Sequence, residues 1–327
     1  MENILKAALI GCGDYLRWEI EKLNSSKQLK VELTFDTDKS KAEKRANQLN
    51  AKAVYNIEEI FNHIEIDVIL IFTPPFARLE YFEKAAKAKK NIITTKPLAN
   101  NLQDATKLLN IVQDSGIKCA VFYGRTGNHS VEKMKQIFEQ GDIGNLAFYK
   151  EDWFHHYPQW NNWATDRTQN GGPFMDAMIH NLNKARYLID SPIKKLFYSS
   201  ENFSQHLNCN DTEFLKVTFE NGASTQLFIT WAADLEVFSL EGNEREHYGI
   251  SHYITNQGWY VKEISEDGKN YIQAKKNSEI KKWMVVESDL TPYDAFAKAV
   301  QNNLNVEPDI SMAWEDIHIL DAACLNS

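Results

Sequence analysis

Apolar and polar positions in the first third of the chain alternate between two patterns. Residues 5–10 and 67–72 form short, nearly continuous apolar runs, which are typical of strands buried on both faces of a parallel sheet. Further strands are predicted at 30–35, 91–95 and 118–123, and helices at 15–23, 39–49, 57–61, 78–88 and 102–113. Strands that alternate with helices predict one doubly wound α/β domain over residues 1–123.

The pattern changes after a helix predicted at 131–140. From there strand-like stretches dominate, and turn pairs such as Asn221-Gly222 and Asp267-Gly268 join several of them. These strands are predicted at 146–152, 193–203, 212–219, 224–230, 236–240, 247–255, 258–264 and 283–287, and closing helices at 292–303 and 312–324. This order predicts a second domain over residues 124–327, of α+β type, with a large, mainly antiparallel open sheet.

Composition narrows the class of partner. The 327 residues carry a net charge of −9, which argues against nucleic acid or an anionic membrane surface. Four scattered cysteines form no CxxC pair, so we expect reduced thiols, a cytoplasmic location and no metal. The chain shows no signal peptide and no apolar stretch long enough to cross a bilayer, so no membrane partner is expected.

A glycine turn, Gly11-Cys12-Gly13, follows the first predicted strand and precedes a helix. This is how α/β proteins build a phosphate-binding loop. Asp36 ends the second strand about 20 residues later, where a carboxylate accepts hydrogen bonds from the adenosine ribose. Leu16 occupies the position of the third fingerprint glycine, and a glycine turn for another ligand remains an alternative.

The type of dinucleotide follows from charge. The carboxylate of Asp36 favours NAD, because it repels the 2′-phosphate of NADP, although Lys39 and Lys41 offset part of that repulsion. Ligands of such sheets bind beyond the carboxyl ends of the strands. The candidate cofactor-binding residues are therefore Gly11, Gly13, Asp14, Tyr15, Asp36, Thr73, Pro74 and Lys96.

Lys96 follows an apolar strand and precedes Pro97. At that strand end its ammonium group is suited to hydrogen-bond a substrate hydroxyl and to stabilise an alkoxide. A surface lysine that caps the edge of the sheet explains the same sequence equally well.

Residues 171–181 open with two glycines and a proline and continue with residues that can form a helix. A helix would place Asp176 and His180 on one face, four residues apart. A carboxylate beside an imidazole in apolar surroundings is usual equipment of a general acid/base site. A structural Asp–His pair at the edge of a core remains an alternative.

Aromatic and imidazole side chains crowd residues 153–163, and an arginine follows. Such side chains suit a small polyhydroxylated substrate, although aromatic clusters also build cores and subunit contacts. The candidate substrate-binding residues are Tyr123, Trp153, His155, Trp163 and Arg167, together with Lys96, Asp176 and His180.

Together these features resemble the Gfo/Idh/MocA family of NAD(P)-dependent oxidoreductases over nearly the whole chain. The resemblance rests on Ile10 to Gly13, Asp36, and the stretches 67–74, 85–97, 141–144 and 171–180. It implies a Rossmann domain followed by a domain with an open antiparallel sheet. In the family the outer face of that sheet often forms the oligomer interface, so a homo-oligomer is expected.

The resemblance also implies roles for site residues. Lys96, Asp176 and His180 match the family's catalytic lysine, aspartate and histidine, and typical substrates are sugars, sugar derivatives or cyclitols that react at a secondary carbinol. In our leading hypothesis His180 takes the hydroxyl proton while Lys96 polarises the same oxygen, although the two residues could exchange the role of base. Asp176 positions the substrate or tunes His180.

The sequence departs from the family pattern around the pocket. The departures are Pro75, Arg78, Thr95, Pro173, Met178 and Asn183. Two further hypotheses stay open, the first prompted by these departures and the second implied by the family resemblance. One is a dinucleotide-binding sensor or partner subunit without catalysis. The other is an enzyme that retains NAD and eliminates a glycoside through transient oxidation.

Overall fold

The structure is a computed structural model that describes residues 4–154, 163–204, 207–232 and 248–325. It divides into two compact units. The first holds the residues up to Gly127 together with Ser288–Ile317, and the second holds Asn128–Glu287 and the residues from His318 onward. The first unit therefore includes a late segment, 288–317, that a linear boundary after residue 123 assigns to the second domain.

The sheet of the first unit is formed by six parallel strands, and five helices connect them. The strands are β1 (Leu5–Ile10), β2 (Leu29–Phe35), β3 (Lys52–Ala53), β4 (Val68–Ile71), β5 (Asn91–Thr95) and β6 (Cys119–Phe122). The helices are α1 (Ile20–Ser25), α2 (Lys39–Leu49), α3 (Glu58–Phe61), α4 (Leu79–Lys87) and α5 (Leu102–Ser115). The strand order is β3-β2-β1-β4-β5-β6, and every residue of β4 and β6 is buried. The predicted doubly wound parallel sheet is confirmed.

The first helix differs from the prediction of one helix over residues 15–23. A 3₁₀ helix runs over Asp14–Trp18, and α1 begins only at Ile20. Leu16, at the position of the missing glycine, is fully buried in the core beneath this turn. A glycine at this position would let the helix pack closely on the strand. The leucine side chain occupies that space instead.

The described part of the second unit contains eight strands. They are β7 (Leu146–Phe154), β8 (Ile193–Glu201), β9 (Thr212–Phe219), β10 (Ser224–Thr230), β11 (Tyr248–Thr255), β12 (Tyr260–Glu266), β13 (Lys269–Lys276) and β14 (Glu279–Met284). Their order is β14-β13-β12-β11-β7-β10-β9-β8. All neighbours pair antiparallel except β7 and β10, which pair parallel. The prediction of a large, mainly antiparallel sheet is confirmed.

The remaining helices are α6 (His129–Gln140), α7 (Ile179–Ile189), α8 (Pro292–Gln301) and α9 (Ile310–Leu325). Helix α8 belongs to the first unit because its Asp294 binds the start of β2. The Asp294 carboxylate accepts hydrogen bonds from the Ser26 hydroxyl and from the backbone N–H groups of Lys27 and Gln28. In the described ranges no helix is long and apolar enough to cross a membrane.

The strands of the second unit differ from the prediction in a few places. The sequence pattern missed β13, which Asp267 and Gly268, with φ angles of 50° and 71°, join to β12 in a hairpin. The strand expected at 283–287 lies earlier, at Glu279–Met284. The strand expected at 236–240 lies outside the described residues.

The large sheet has two unlike faces. The inner face, against which α7 packs, carries fully buried residues such as Tyr149, Leu215 and Leu227. The outer face exposes apolar side chains, including Phe154 and Phe197. Helix α7, which carries candidate site residues, therefore rests on the inner face.

Candidate active site

The glycine turn after β1 is a place where two strand ends come close. Gly11 has a φ of +92°, and a Cβ added there would lie 2.6 Å from the carbonyl oxygen of Phe72. Only glycine fits this position. A Cβ at Gly13 would meet nothing within 4 Å, so that side of the turn is open to a ligand.

Asp36 ties the end of β2 to this turn. One carboxylate oxygen accepts a hydrogen bond from the backbone N–H of Cys12 at 2.7 Å, and the other accepts from Asp38 N–H at 2.8 Å. A carboxylate has about four acceptor positions, so further positions remain for the hydroxyl donors of a ligand.

Arg45, a buried residue of α2, holds the turn from the other side. Its Nη2 donates to the carbonyl oxygen of Gly13 at 2.9 Å, and its Nε donates to that of Cys12 at 3.3 Å. The turn is therefore fixed by its own protein contacts. Our sequence analysis missed Arg45, because nothing near it in sequence marks a contact with residues 32 and 33 positions earlier.

A dinucleotide fits the residues of this region. Gly13 leaves open space beside the turn, and Asp36 offers acceptors to a ribose. The hydroxyl of Thr73, at the end of β4, is buried and has no hydrogen-bond partner among the described residues. Buried polar atoms are rarely unpaired in proteins, so an orphan here fits a site that a polar ligand completes.

The two residues after the turn have different surroundings. Asp14 is exposed, whereas the Tyr15 ring packs edge-on against Phe72 at a centroid distance of 5.1 Å. Burial, with Glu19 nearby, raises the pKa of the Tyr15 hydroxyl well above its usual value. Tyr15 thus supports the turn from the core, and contact of Asp14 or Tyr15 with a cofactor stays a prediction.

Arg78 is a fully buried cation at the ends of β4 and β5. It donates five hydrogen bonds to backbone carbonyl oxygens. Thr73 accepts two of them, at 3.0 and 3.2 Å, and the others go to Thr95 at 2.7 Å, to Pro97 and to Leu98 at 3.2 Å. Arg78 thereby fastens the two strand ends together.

We call the hydrogen bonds from Arg78 to the four carbonyl groups the carbonyl clamp, and two of these groups flank Lys96 in sequence. The lysine lies between two of the carbonyl groups that Arg78 holds, and its bond to Pro97 is a cis peptide. Burial lowers the pKa of Arg78 to about 9, so the guanidinium remains charged at neutral pH. Our sequence analysis noted Arg78 only as a departure from a family pattern and missed this contact.

The first unit therefore brings five candidates to one edge of its sheet. Gly11, Asp36, Thr73, Lys96 and Tyr123 follow the carboxyl ends of β1, β2, β4, β5 and β6, respectively. Ligands of parallel α/β sheets bind at this edge.

In the second unit the predicted helix has two parts. Residues Phe174–Met178 form a π-helical turn, and α7 continues the helix to Ile189. We call residues 174–189 the acid–base helix, since it carries Asp176 and His180, which are both half-buried. Single π-helical turns inside helices occur frequently at functional sites.

Asn170 orients Asp176. The Nδ2 of this fully buried asparagine donates to Oδ1 of Asp176 at 3.1 Å and to the carbonyl oxygen of Ala164 at 3.0 Å. Both partners are acceptors, which fixes the orientation of the amide group. Sequence analysis missed Asn170.

A buried polar network lies between the acid–base helix and β7. Oε2 of Glu151 accepts hydrogen bonds from the hydroxyls of Tyr149 and Ser251, both at 2.6 Å, and from Nζ of Lys184 at 3.3 Å. Its Oε1 accepts from Nε1 of Trp153 at 2.8 Å. The indole of Trp153, a candidate substrate-binding residue, is therefore held by Glu151.

Glu151 and Lys184 form an ion pair in this network, and both groups stay charged although they are buried. Burial alone would raise the pKa of Glu151, but Lys184 and three donated hydrogen bonds hold it below its usual value. Burial would lower the pKa of Lys184, yet Tyr253 and Glu151 raise it. Lys184 follows His180 by four residues on the acid–base helix, so it anchors the same helix face to the sheet.

The remaining predicted substrate residues precede the acid–base helix in the sequence. Trp163 is half-buried and Arg167 is exposed, with its backbone N–H bonded to Oδ1 of Asn208 at 3.0 Å. His155 lies outside the described residues. Within the described ranges no group of histidine, cysteine and acidic side chains has the arrangement of a metal site.

Comparison with known families covers most of the chain. Residues 5–123 match a family model described as an oxidoreductase family with an NAD-binding Rossmann fold. Residues 131–244 match the model of the GFO/IDH/MocA C-terminal domain.

Individual relatives are distant in sequence. The chain is 26% identical to the uncharacterized oxidoreductase YrbE of Bacillus subtilis over 255 residues, which cover 74% of each chain. It is 26% identical to scyllo-inositol 2-dehydrogenase (NAD(+)) of the same organism over 230 residues, 68% of this chain and 66% of the relative. A solved structure of aldose-aldose oxidoreductase from Caulobacter crescentus superposes with a TM-score of 0.83 at 16% identity over 99% of both chains.

Proposed function

This chain belongs to the Gfo/Idh/MocA family of oxidoreductases, and we propose that it transfers a hydride between NAD and a secondary hydroxyl group of a small polyhydroxylated substrate. The proposed substrate is a sugar, a sugar derivative or a cyclitol. Relatives named scyllo-inositol 2-dehydrogenase and myo-inositol 2-dehydrogenase, and a structural neighbour named levoglucosan dehydrogenase, support this class.

One observation carries the proposal. Gly11, Asp36, Thr73 and Lys96 stand at the carboxyl edge of one parallel sheet, where the glycine turn is open and the Thr73 hydroxyl is orphaned. A dinucleotide turn and a cationic side chain at the same edge support binding of a cofactor next to a reacting oxygen.

The proposed division of labour follows from the chemistry of the side chains. Bound nicotinamide supplies the acceptor or donor of the hydride. Lys96 hydrogen-bonds the substrate oxygen and stabilises its negative charge, while the imidazole of His180 takes or returns the hydroxyl proton. Asp176, oriented by Asn170, positions the substrate or the imidazole. Arg78 holds the carbonyl groups of Thr95 and Pro97 on either side of Lys96, which supports a fixed position of the lysine.

We also propose NAD rather than NADP as the cofactor. The Asp36 carboxylate accepts hydrogen bonds from the backbone N–H groups of Cys12 and Asp38 and from the Thr37 hydroxyl, which holds this acidic side chain beside the glycine turn. A negative charge at the ribose repels the additional phosphate of NADP.

A homo-oligomer formed through the outer face of the large sheet belongs to the same proposal. Phe154, Phe197 and Ile250 are 38%, 57% and 52% exposed on this face. Exposed apolar side chains grouped on one face mark interaction surfaces. Light scattering should give the mass of an oligomer, and Phe197→Glu should dissociate it; a monomeric wild type would contradict this part. A cytoplasmic location stays a prediction.

The experiment that tests the function is a screen of sugars and cyclitols for NADH formation, with NAD and NADP in parallel. Turnover with at least one compound, faster with NAD, is expected. Binding of NAD by calorimetry without turnover on any compound would instead favour a sensor or partner subunit. Product formation with no net change in NADH absorbance would favour an enzyme that retains its NAD.

A further inference from the structure

Glu213 is a buried acid on the inner face of β9. One carboxylate oxygen, Oε2, accepts a hydrogen bond from the backbone N–H of Phe174. The other, Oε1, accepts from the hydroxyl of Tyr198 on the neighbouring strand at 2.5 Å. Both of these donors are uncharged, which is unusual for a buried carboxylate.

The contact with Phe174 satisfies the beginning of the acid–base helix. The first N–H groups of a helix have no partner within the helix and usually take one from a capping side chain. The residue before this helix is Pro173, which provides no side-chain cap. Glu213 supplies the missing acceptor from another strand, and its negative charge also suits the positive end of the helix dipole.

The chain before the helix is shaped for this approach. Gly172 has a φ of +102°, and a Cβ added there would lie 3.6 Å from Oε2 of Glu213. The positive φ requires glycine, and the turn it makes brings the N–H of Phe174 to the carboxylate. The helix is therefore anchored at one defined atom.

We propose that Glu213 is a positioning residue of the acid–base helix: its carboxylate holds the N–H of Phe174 and thereby fixes where Asp176 and His180 stand. This inference rests on the proposed roles of those two residues. Glu213 itself touches neither substrate nor cofactor in this account; it acts through the backbone of Phe174.

The anchor responds to pH. Burial raises the pKa of Glu213 to about 7, although Tyr198 and the Phe174 N–H each oppose that rise. Above this pH the carboxylate accepts at both oxygens. Below it, a proton on Oε1 is donated to the Tyr198 hydroxyl, and Oε2 accepts from Phe174 N–H without the negative charge that strengthens the bond.

Few other charges face this group. Its titratable neighbours are Tyr198 on β8, Arg167 before the acid–base helix, Cys209 before β9 and Cys324 on α9, with Asp166 and Asp211 near Cys209 and Asp321 near Cys324. Burial raises the pKa of Tyr198, Cys209 and Cys324, so these three are neutral near pH 7. Asp176 and His180 lie further along the helix, and Glu213 is the group whose side chain accepts from Phe174 N–H.

The test measures the Phe174 N–H group directly, by NMR of the full chain. Protein labelled with ¹⁵N-phenylalanine contains 17 backbone signals of this type, and Phe174→Leu identifies the one that belongs to residue 174. We expect the Phe174 amide signal to titrate with a midpoint near 7. In Tyr198→Phe the carboxylate loses a hydrogen bond that favours ionisation, so the midpoint moves upward. In Glu213→Gln the titration disappears.

The matched control is Glu220→Gln, which removes an exposed carboxylate just after the same strand. It should leave the Phe174 titration unchanged. A Phe174 signal that does not move with pH in the wild type, or that titrates equally in Glu213→Gln, would overturn the inference. These results do not depend on any enzymatic activity.

The kinetic arm uses the best substrate of the sugar and cyclitol screen. Glu213→Gln should lose one ionisation near pH 7 from the profile of kcat, while the dissociation constant of NAD stays within about twofold. Wild-type profiles in Glu213→Gln would contradict a positioning role even if the amide titrates. If the wild type turns over no compound, the proposed function fails, and the amide titration alone still decides whether Glu213 anchors the helix.

Discussion

The carboxylate of Asp36 accepts a hydrogen bond of 2.7 Å from the backbone N–H of Cys12, inside the glycine turn. The contact joins the end of β2 to the end of β1. The residue proposed to select the cofactor therefore also shapes the turn proposed to bind it.

Asp36→Asn should weaken NAD binding by about tenfold. It should also lower the ratio of the affinity for NAD to the affinity for NADP, or reverse that preference. The amide oxygen can still accept from Cys12 N–H, but the charge-assisted hydrogen bonds to the ribose are lost, at about 1.5 kcal/mol or more. Calorimetric titration with both dinucleotides measures this. Glu32→Gln, on the same strand and paired with Lys30 at the surface, is the control. An unchanged NAD:NADP ratio in Asp36→Asn would refute our interpretation of Asp36.

Arg78→Lys should destabilise the first unit by about 3 kcal/mol, because a lysine cannot span the four carbonyl groups and leaves several of them buried without a donor. Denaturant titration measures the free energy of unfolding. We also expect a lower kcat, since the backbone on both sides of Lys96 loses its support.

The matched control is Arg17→Lys, at an exposed arginine that lies over the ring of Trp18. It should change stability by less than about 0.5 kcal/mol. Equal unfolding midpoints for Arg78→Lys and the wild type would show that the carbonyl clamp contributes nothing.

Lys184→Met should cost about 3–5 kcal/mol, because it leaves the Glu151 carboxylate buried without its cation. The double variant Glu151→Gln/Lys184→Met should recover part of this loss, since the uncompensated charge is then removed. A thermodynamic cycle of the wild type, both single variants and the double variant gives the coupling energy.

The exposed pair Lys107–Asp104 on α5 provides the comparison. Lys107→Met should cost less than about 1 kcal/mol, as exposed ion pairs do. If Lys184→Met is as mild as Lys107→Met, the buried network does not anchor the acid–base helix.

Glu213 makes the free energy of unfolding depend on pH. Its pKa of about 7 in the folded protein exceeds the usual 4.5, so ionisation is harder in the folded state. This group favours folding most where it is neutral in both states, below about pH 4.5, and that advantage is lost as the pH rises to about 7. Between about pH 5 and 8, Glu213→Gln should therefore gain roughly 3 kcal/mol relative to the wild type.

Urea unfolding of both proteins at several pH values measures this difference. Glu220→Gln serves again as the control and should track the wild type. A difference between Glu213→Gln and the wild type that is constant with pH would mean that Glu213 titrates normally in the folded protein.

The strands that sequence analysis predicted well are those with strong apolar patterns. Every residue of β4 is buried, and its apolar run was unmistakable. Strand β13 was missed because only Ile272 and Ala274 along its length are fully buried. Lysine, asparagine and glutamine occupy most of its other positions, so the alternation of apolar and polar residues along the strand is weak.

The site residues that sequence analysis found are those within local motifs, such as Gly11 and Asp36. Arg78 and Asn170 escaped because their roles lie in contacts with backbone or side chains that no local pattern marks. Glu213 was detectable in principle. It falls on the same face of β9 as Leu215 and Val217. An acidic residue in a row of alternate, buried apolar positions is unusual and marks the position for attention.

Lys96 and His180 are proposed to act on the substrate hydroxyl during hydride transfer. NADH formation by the wild type, Lys96→Ala and His180→Ala on the best substrate of the screen, with NAD binding measured for each, tests this most directly. We expect His180→Ala to bind NAD normally and both variants to lose roughly 100-fold or more in kcat. Turnover at the wild-type rate in either variant, with NAD bound, would contradict it.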